Sequence, residues 1–160
     1  MSQDDAGIDL DTSLGYVLKE ASSALRAAME EVLRPLGMNV THYSCLELLA
    51  QRPGLSNSEL ARGAFVTRQT MNVLLQTLER DGQVTRAVEA AVGKAIPTRL
   101  TPHGRELLGR ASAAVRSVEE RMLSGMTPEE RTAAFGSLQS MIRALRAGAD
   151  TAPGNEGESL

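Results

Sequence analysis

Apolar residues recur along this chain at two spacings, and the change from one to the other marks its organisation. Over residues 12–34, Leu14, Val17, Leu18, Ala21, Leu25, Ala28, Met29 and Val32 follow a helical period, and "RPLGM" breaks the segment. The spacing predicts a second helix from about Thr41 to Gln51, with Tyr43, Leu46 and Leu49 inward and "RPG" ending it. Ser56 and Glu59 make the S-x-x-E pattern of a capping box, opening a short third helix to about Ala64. Thr67 is the expected cap of a fourth helix, which Gly82 terminates. There the period falls to two. Val84, Arg86 and Val88 alternate with Thr85 and Ala87, Ile96, Thr98 and Leu100 alternate with Pro97 and Arg99, and Gly93-Lys94 lies between. This predicts a hairpin, whose edges tolerate Pro97. Thr101-Pro102 opens a long helix carrying Leu107, Leu108, Ala111, Val115, Val118 and Met122, and "TPEE" at 127–130 starts a last helix to about Arg146. The expected order is four helices, a hairpin and two helices.

Composition narrows this picture. Hydrophobic residues make up 42% of the 160 positions but aromatic ones only 2%, so the core must be built from Leu, Val, Ala and Met. That favours packed helices over a sandwich or barrel. The acidic start "MSQDDAGIDLD" and the lack of a long apolar run point away from a signal peptide or membrane span, and toward the cytoplasm. The first ten residues and "AGADTAPGNEGESL" at 147–160 lack apolar periodicity and read as disordered tails. One cysteine, Cys45, excludes an intrachain disulfide and a Cys-rich zinc site.

The formal net charge of −3 hides a polarised molecule: residues 1–51 carry −5, residues 52–110 carry +4, and residues 111–160 carry −2. An anionic partner would be met by the middle third. On the fourth helix, Met71, Leu74, Leu75 and Leu78 fall on one side, with Gln69, Val73, Gln76 and Arg80 almost opposite, Asn72 at a margin and Arg68 on the flank. No acidic residue occurs from Thr67 to Thr77. These side chains suit a DNA major groove. Arg reaches guanine O6/N7, Gln and Asn pair with adenine, and Val73 suits a thymine methyl. The alternative is a soluble face that happens to lack acids. The context favours DNA: a short capped helix, the turn "AFV" and a following hairpin compose a helix-turn-helix with a wing.

With these residues in place, the chain resembles the MarR family of winged helix-turn-helix transcriptional regulators over residues 12–146. The carriers are "RPGLSNSELARGAFVTRQTMNVLLQTLERDGQV", the hairpin, and "RLTPHGRELL" after it. The resemblance implies a mainly α fold with a β-hairpin wing, and an obligate homodimer on palindromic double-stranded DNA. It implies a division into a tail (1–11), an N-terminal dimerisation helix (12–40), a DNA-binding domain (41–101), C-terminal dimerisation helices (102–146) and a second tail (147–160). The expected DNA-binding residues are Thr67, Arg68, Gln69, Asn72, Val73 and Gln76 on the fourth helix, with Arg86, Lys94 and Arg99 on the hairpin. Family wings commonly carry Asp-x-Arg or Asp-Arg-Arg at the tip, where this chain has Val92, Gly93 and Lys94. Without the bracing Asp, Lys94 is expected to act on phosphate. Arg86 and Arg99 are secondary candidates that equally suit surface arginines.

Family members often respond to small aromatic acids or phenols lodged between the dimer helices and the winged domain. Tyr16, Arg26, His42 and Tyr43 are the candidate anchors here, with core or interface packing as the alternative for both tyrosines. The family's peroxide-sensing branch keeps its cysteine in the first helix; Cys45 lies in the second and reads as a buried small residue. No HExxH, GxSxG or GxGxxG occurs, and "VGKA" lacks the outer Gly and the Ser/Thr of a phosphate loop. Neither an enzyme, a cofactor nor a metal is expected. The expectation is a homodimeric repressor, with a winged-helix protein–protein adaptor as the alternative. Removing Lys94 should weaken binding to all DNA sequences alike and reduce the salt slope by about 0.9 log unit per lost phosphate contact. Titrating Lys94→Ala against DNA at several salt concentrations checks this.

Overall fold

The computed structural model describes residues 7–86 and 97–149. The elements are α1 (Leu14–Leu33), a 3₁₀ turn (Arg34–Leu36), α2 (Val40–Gln51), α3 (Asn57–Gly63), α4 (Arg68–Arg80), β1 (Val84–Arg86), β2 (Thr98–Leu100), α5 (Pro102–Met122) and α6 (Pro128–Ala149). The chain divides into two compact units, Met1–Glu120 and Arg121–Leu160. The fold is a winged helix-turn-helix, mainly α with one two-stranded antiparallel sheet.

Local chemistry sets each boundary in the first unit. Ser13 Oγ accepts from Tyr16 N at 3.2 Å to start α1, and Asn39 Oδ1 accepts from His42 N at 2.8 Å to start α2. Between them the chain tightens into the 3₁₀ turn and reverses at Gly37, whose φ of 71° favours glycine. Both halves of the Ser56–Glu59 capping box form at α3, and Thr67 caps α4 by accepting from Thr70 N at 3.1 Å. The strands pair Val84 with Leu100, Thr85 with Arg99 and Arg86 with Thr98. The expected wing tip at Val92, Gly93 and Lys94 lies outside the described residues.

Every element from the end of α1 to α5 contributes to one core. Leu33, Leu46, Leu60, Met71, Leu75, Leu78 and Val84 are fully buried, joined by Cys45, Leu49, Leu100, Leu108 and Ala111. Each fully buried leucine contributes roughly 1.5–3 kcal/mol relative to exposure. Upstream of Leu33 the pattern differs: Leu14, Val17 and Leu18, placed on a helical apolar stripe, are all exposed within the chain.

The junction after α4 is polar. Gln83 is buried; its backbone N–H donates to Leu78 O at 2.9 Å, and its carbonyl accepts from Thr101 N at 3.1 Å. Thr101 Oγ1 donates to Gly82 O at 2.5 Å and accepts from Gly104 N at 3.0 Å, so one hydroxyl caps α5 and ties it to the end of α4. Gly104 is buried, and a Cβ there would stand 2.1 Å from Gln83 O.

In the second unit, Thr127 and Glu130 form a reciprocal box: Thr127 N donates to Glu130 Oε2 at 2.9 Å, and Glu130 N to Thr127 Oγ1 at 3.2 Å. Arg131 closes the preceding loop by donating to the carbonyls of Leu123 and Met126. No residue of α6 is buried, and Phe135, Leu138, Ile142 and Leu145 are exposed. The helix runs through Ala147, Gly148 and Ala149, past the end expected at Arg146. Alanine is the best helix former, and no proline intervenes before Pro153. At the other end, residues 9–11 of the expected tail and Thr12 after it make a turn in which Thr12 Oγ1 donates to Asp9 Oδ2 at 3.1 Å. Among the described residues, no helix is long and apolar enough to cross a membrane.

Gly104→Ala should cost at least about 2 kcal/mol, because a backbone carbonyl rather than a flexible side chain opposes the new methyl. Gly109→Ala, in the same helix with nothing within 4 Å, should instead stabilise by about 0.5–1 kcal/mol. Urea unfolding of both variants at one protein concentration checks the contrast.

Candidate nucleic-acid interface

The helix-turn-helix is set by how closely α3 can approach α2 and by how sharply the chain then turns. A Cβ on Gly63 would lie 2.8 Å from Leu48 Cδ1, so glycine allows the close packing of the two helices. Ala64 caps α3. Phe65 then adopts a φ of 59°, Val66 N donates to Ala61 O at 3.0 Å, and Thr67 opens α4. Phe65 is 88% exposed. A bulky side chain in left-handed backbone is unfavourable and is held here by the helices on either side.

Met71, Leu75 and Leu78 of α4 are buried, which turns the opposite face outward. Thr67, Arg68, Gln69, Asn72, Val73 and Gln76 are all exposed, Val73 at 60%. The structure therefore gathers six of the nine sequence-selected DNA-binding residues on one ridge. Two of them are attached to the first turn of α3. Arg68 Nη1 donates to Ser58 Oγ at 3.4 Å, and Asn57 Nδ2 donates to Asn72 Oδ1.

The hairpin candidates separate. Arg99 is exposed on β2, opposite Thr85. Arg86 points the other way: its Nε lies 3.6 Å from Glu79 Oε2, and its Nε and Nη2 are buried without a hydrogen bond among the described residues. Lys94 lies outside the described residues.

The four candidate ligand anchors have different surroundings. Tyr16 is exposed on α1, and Arg26 pairs with Glu30 at 3.8 Å. Tyr43 lines a cleft of about 210 Å³ with Ser44, Glu47, Leu48, Gln51, Arg52 and Gly63. Glu47 is already engaged there, accepting from Gln51 Nε2 and, at 2.8 Å, from Ser112 Oγ. Burial raises the Tyr43 phenol above its usual range. His42 does not line this cleft; its Nε2 lies 2.7 Å from Gln83 Oε1. Cys45 is fully buried, and that burial pushes its thiol up to about 12, so it stays protonated and poorly nucleophilic near neutrality. No cluster of three or more His, Cys, Asp or Glu suited to a metal occurs among the described residues.

Sequence reasoning missed Asn57, Ser58, Gln83 and Gly104. The glycine in "TPHG" was the readable sign, since a glycine inside a helical pattern is costly relative to alanine and can mark a packing constraint.

This arrangement defines a winged helix-turn-helix with an exposed polar ridge on its second helix. The sequence model described as MarR family matches residues 36–95. The HTH-type transcriptional repressor Rv2887 of Mycobacterium tuberculosis is 42% identical over 126 residues, spanning 78% of this chain and 91% of that protein. Its crystal structure with salicylic acid superposes with a TM-score of 0.68 at 39% identity, covering 82% of this chain and 97% of that one. Its complex with DNA gives a TM-score of 0.66 at 37% identity, covering 82% and 98%. This chain belongs to the MarR family of transcriptional regulators.

His42 supplies a pH test of the junction. Burial lowers its pKa below 6.5, outweighing the hydrogen bond to Gln83 and the charge of Asp81, which both act to raise it. The unfolded chain therefore binds the proton more readily. The stability held by neutral His42 is complete above 6.5 and is lost as pH falls through the lower folded-state value. The slope for one group is at most about 1.4 kcal/mol per pH unit. Urea midpoints measured as pH falls below 6.5 should show this loss, and His42→Gln should remove that part of it.

Proposed function

We propose that this protein is a sequence-specific repressor that binds palindromic promoter DNA as a homodimer and is released by a small aromatic carboxylate. The observation that carries the reading is the α4 ridge: an exposed row of Arg68, Gln69, Asn72, Val73 and Gln76, free of acidic residues and anchored from behind by buried Met71, Leu75 and Leu78. Such a row presents donors, acceptors and one apolar contact to base edges. Arg99 and Lys94 add charge from the wing toward phosphate, and Thr67 lies at the amino end of the ridge. The similarity to Rv2887, a repressor whose structures include DNA and salicylic acid complexes, supports both the partner and the effector class.

Dimerisation accounts for the apolar residues each unit leaves uncovered, Leu14, Val17 and Leu18 in the first and Phe135, Leu138, Ile142 and Leu145 in the second. A two-fold dimer places half-site centres about one helical turn, roughly 34–36 Å, apart. In this reading residues 12–40 and 102–146 serve dimerisation and residues 41–101 serve DNA. The protein works in the cytoplasm by occupancy, without catalysing a reaction.

Selection from a random duplex library should return a palindrome, and salicylate should release the bound fragment in a mobility-shift titration. Gln69→Ala should relax base preference at one position per half-site, by roughly 1–3 kcal/mol, while leaving the salt slope unchanged. A library with no enriched sequence, or unaltered preference in Gln69→Ala and Asn72→Ala together, would overturn the assignment.

A further inference from the structure

We infer that Asn57 on α3 sets which base the protein reads through Asn72, by fixing which end of the Asn72 amide faces the groove. The inference rests on the DNA-binding reading above and adds a positioning residue to it.

A side-chain amide has two chemically opposite ends, a carbonyl that accepts and an NH₂ that donates. An unrestrained asparagine uses both against adenine, accepting from N6 and donating to N7. Asn72 is restrained. Its Oδ1 accepts from Asn57 Nδ2, while Asn72 itself is exposed on the α4 ridge. No other side-chain hydrogen bond engages its Nδ2 among the described residues. The carbonyl, though it keeps a second lone pair, is thus turned toward α3, and the opposite end of the planar amide, the donor, is the one presented to DNA.

Asn57 is well suited to hold that orientation. It is the first residue of α3, immediately after the Ser56 cap, so the Ser56–Glu59 capping box fixes its backbone. It is half-buried, whereas Asn72 is exposed, so the anchor is the less mobile partner. The next residue, Ser58, makes a parallel contact by accepting from Arg68 Nη1 at 3.4 Å. The first turn of α3 thus touches two ridge residues lying one turn apart on α4.

A donor-only amide discriminates differently from a bidentate one. It is satisfied by guanine O6 or N7, thymine O4 or adenine N7, and it finds no partner on cytosine, whose major-groove edge offers only the N4 donor. At the base that Asn72 faces, the protein should exclude cytosine rather than demand adenine.

Random-library selection with wild type, Asn57→Ala and Asn57→Asp tests this. Asn72→Ala first identifies the position in each half-site that depends on Asn72. At that position wild type should deplete cytosine. Asn57→Ala frees the amide to pair at both ends, and adenine should rise about tenfold over thymine. Asn57→Asp can only accept, so it turns the Asn72 carbonyl outward and should make cytosine and adenine, the two bases with donors, the preferred pair. Combining Asn57→Asp with Asn72→Ala removes the base effect and leaves only the uniform loss of affinity from the added negative charge. Thermal unfolding of the variants separates a folding defect, which would lower binding to every sequence equally. Unchanged base frequencies in both Asn57 variants, or cytosine favoured by wild type, would overturn the inference while leaving DNA binding intact. Failure of wild type to select any sequence would instead overturn the DNA-binding reading itself.

Discussion

The carbonyl oxygen of Gln83 lies 2.1 Å from where a Cβ on residue 104 would be, and this contact determines how α5 joins the winged unit. Because residue 104 is glycine, the first turn of α5 can sit directly against the chain leaving α4. Thr101 then uses one hydroxyl twice, capping α5 through Gly104 N and holding Gly82 O. The Gln83 side chain reaches Nε2 of His42 on α2. Three elements of the unit, α2, the end of α4 and the start of α5, are thus coupled by polar contacts around one buried glutamine. Buried polar groups are costly when unpaired, so this junction tolerates few alternatives.

That coupling matters because α4 has two jobs on opposite faces. Its inner face supplies Met71, Leu75 and Leu78 to the core, and its outer face must stay uncovered and correctly rotated. Rotation of a helix is set by its buried side chains, but the orientation of a short polar side chain on the far face is not. Contacts from α3 supply that missing constraint at Arg68 and Asn72. The tight turn between the two helices, with Phe65 at a φ of 59°, keeps the first turn of α3 within reach of α4. A bulky residue in that conformation costs of order 1–3 kcal/mol, which the packing of Leu60, Ala61 and Ala64 on one side and Met71 on the other offsets.

The order of elements was legible because caps, prolines and apolar periods agree with one another. Ser56 with Glu59 and Thr127 with Glu130 both form the boxes their spacing predicts. The ridge was legible too, since leucine spacing dictates which residues face away. Contacts between elements were not. Asn57 is one asparagine among the helix-start residues, and nothing in its neighbours announces Asn72 fifteen positions on. Arg86 is an intermediate case. Its alternation with buried Val84 places it on the inner side of β1, and the structure puts it against Glu79, whereas Arg99 alternates outward. The period-two pattern held that distinction, but charge alone suggested equivalent roles. Of the candidate ligand anchors, Tyr43 lines the cleft beside α3 and His42 does not, because the two are adjacent in sequence and adjacent helical residues point about 100° apart.

The pairing of Arg86 with Glu79 also bears on how a chain with a net charge of −3 can present a surface to an anion. Charges more than about 8 Å apart are largely screened at physiological salt, so a net charge says little about any one face. What a phosphate would meet is local. From Thr67 to Thr77 there is no carboxylate, and the nearest one along α4, Glu79, is held by a cation drawn from β1. Glu59, on the neighbouring helix, has Oε1 occupied by the Ser56 hydroxyl. In the DNA-binding reading proposed above, Arg86 would favour anion approach by partly neutralising Glu79, a different role from touching the anion. The same side chain can be oriented inward and still contribute to the positive field of the outward face.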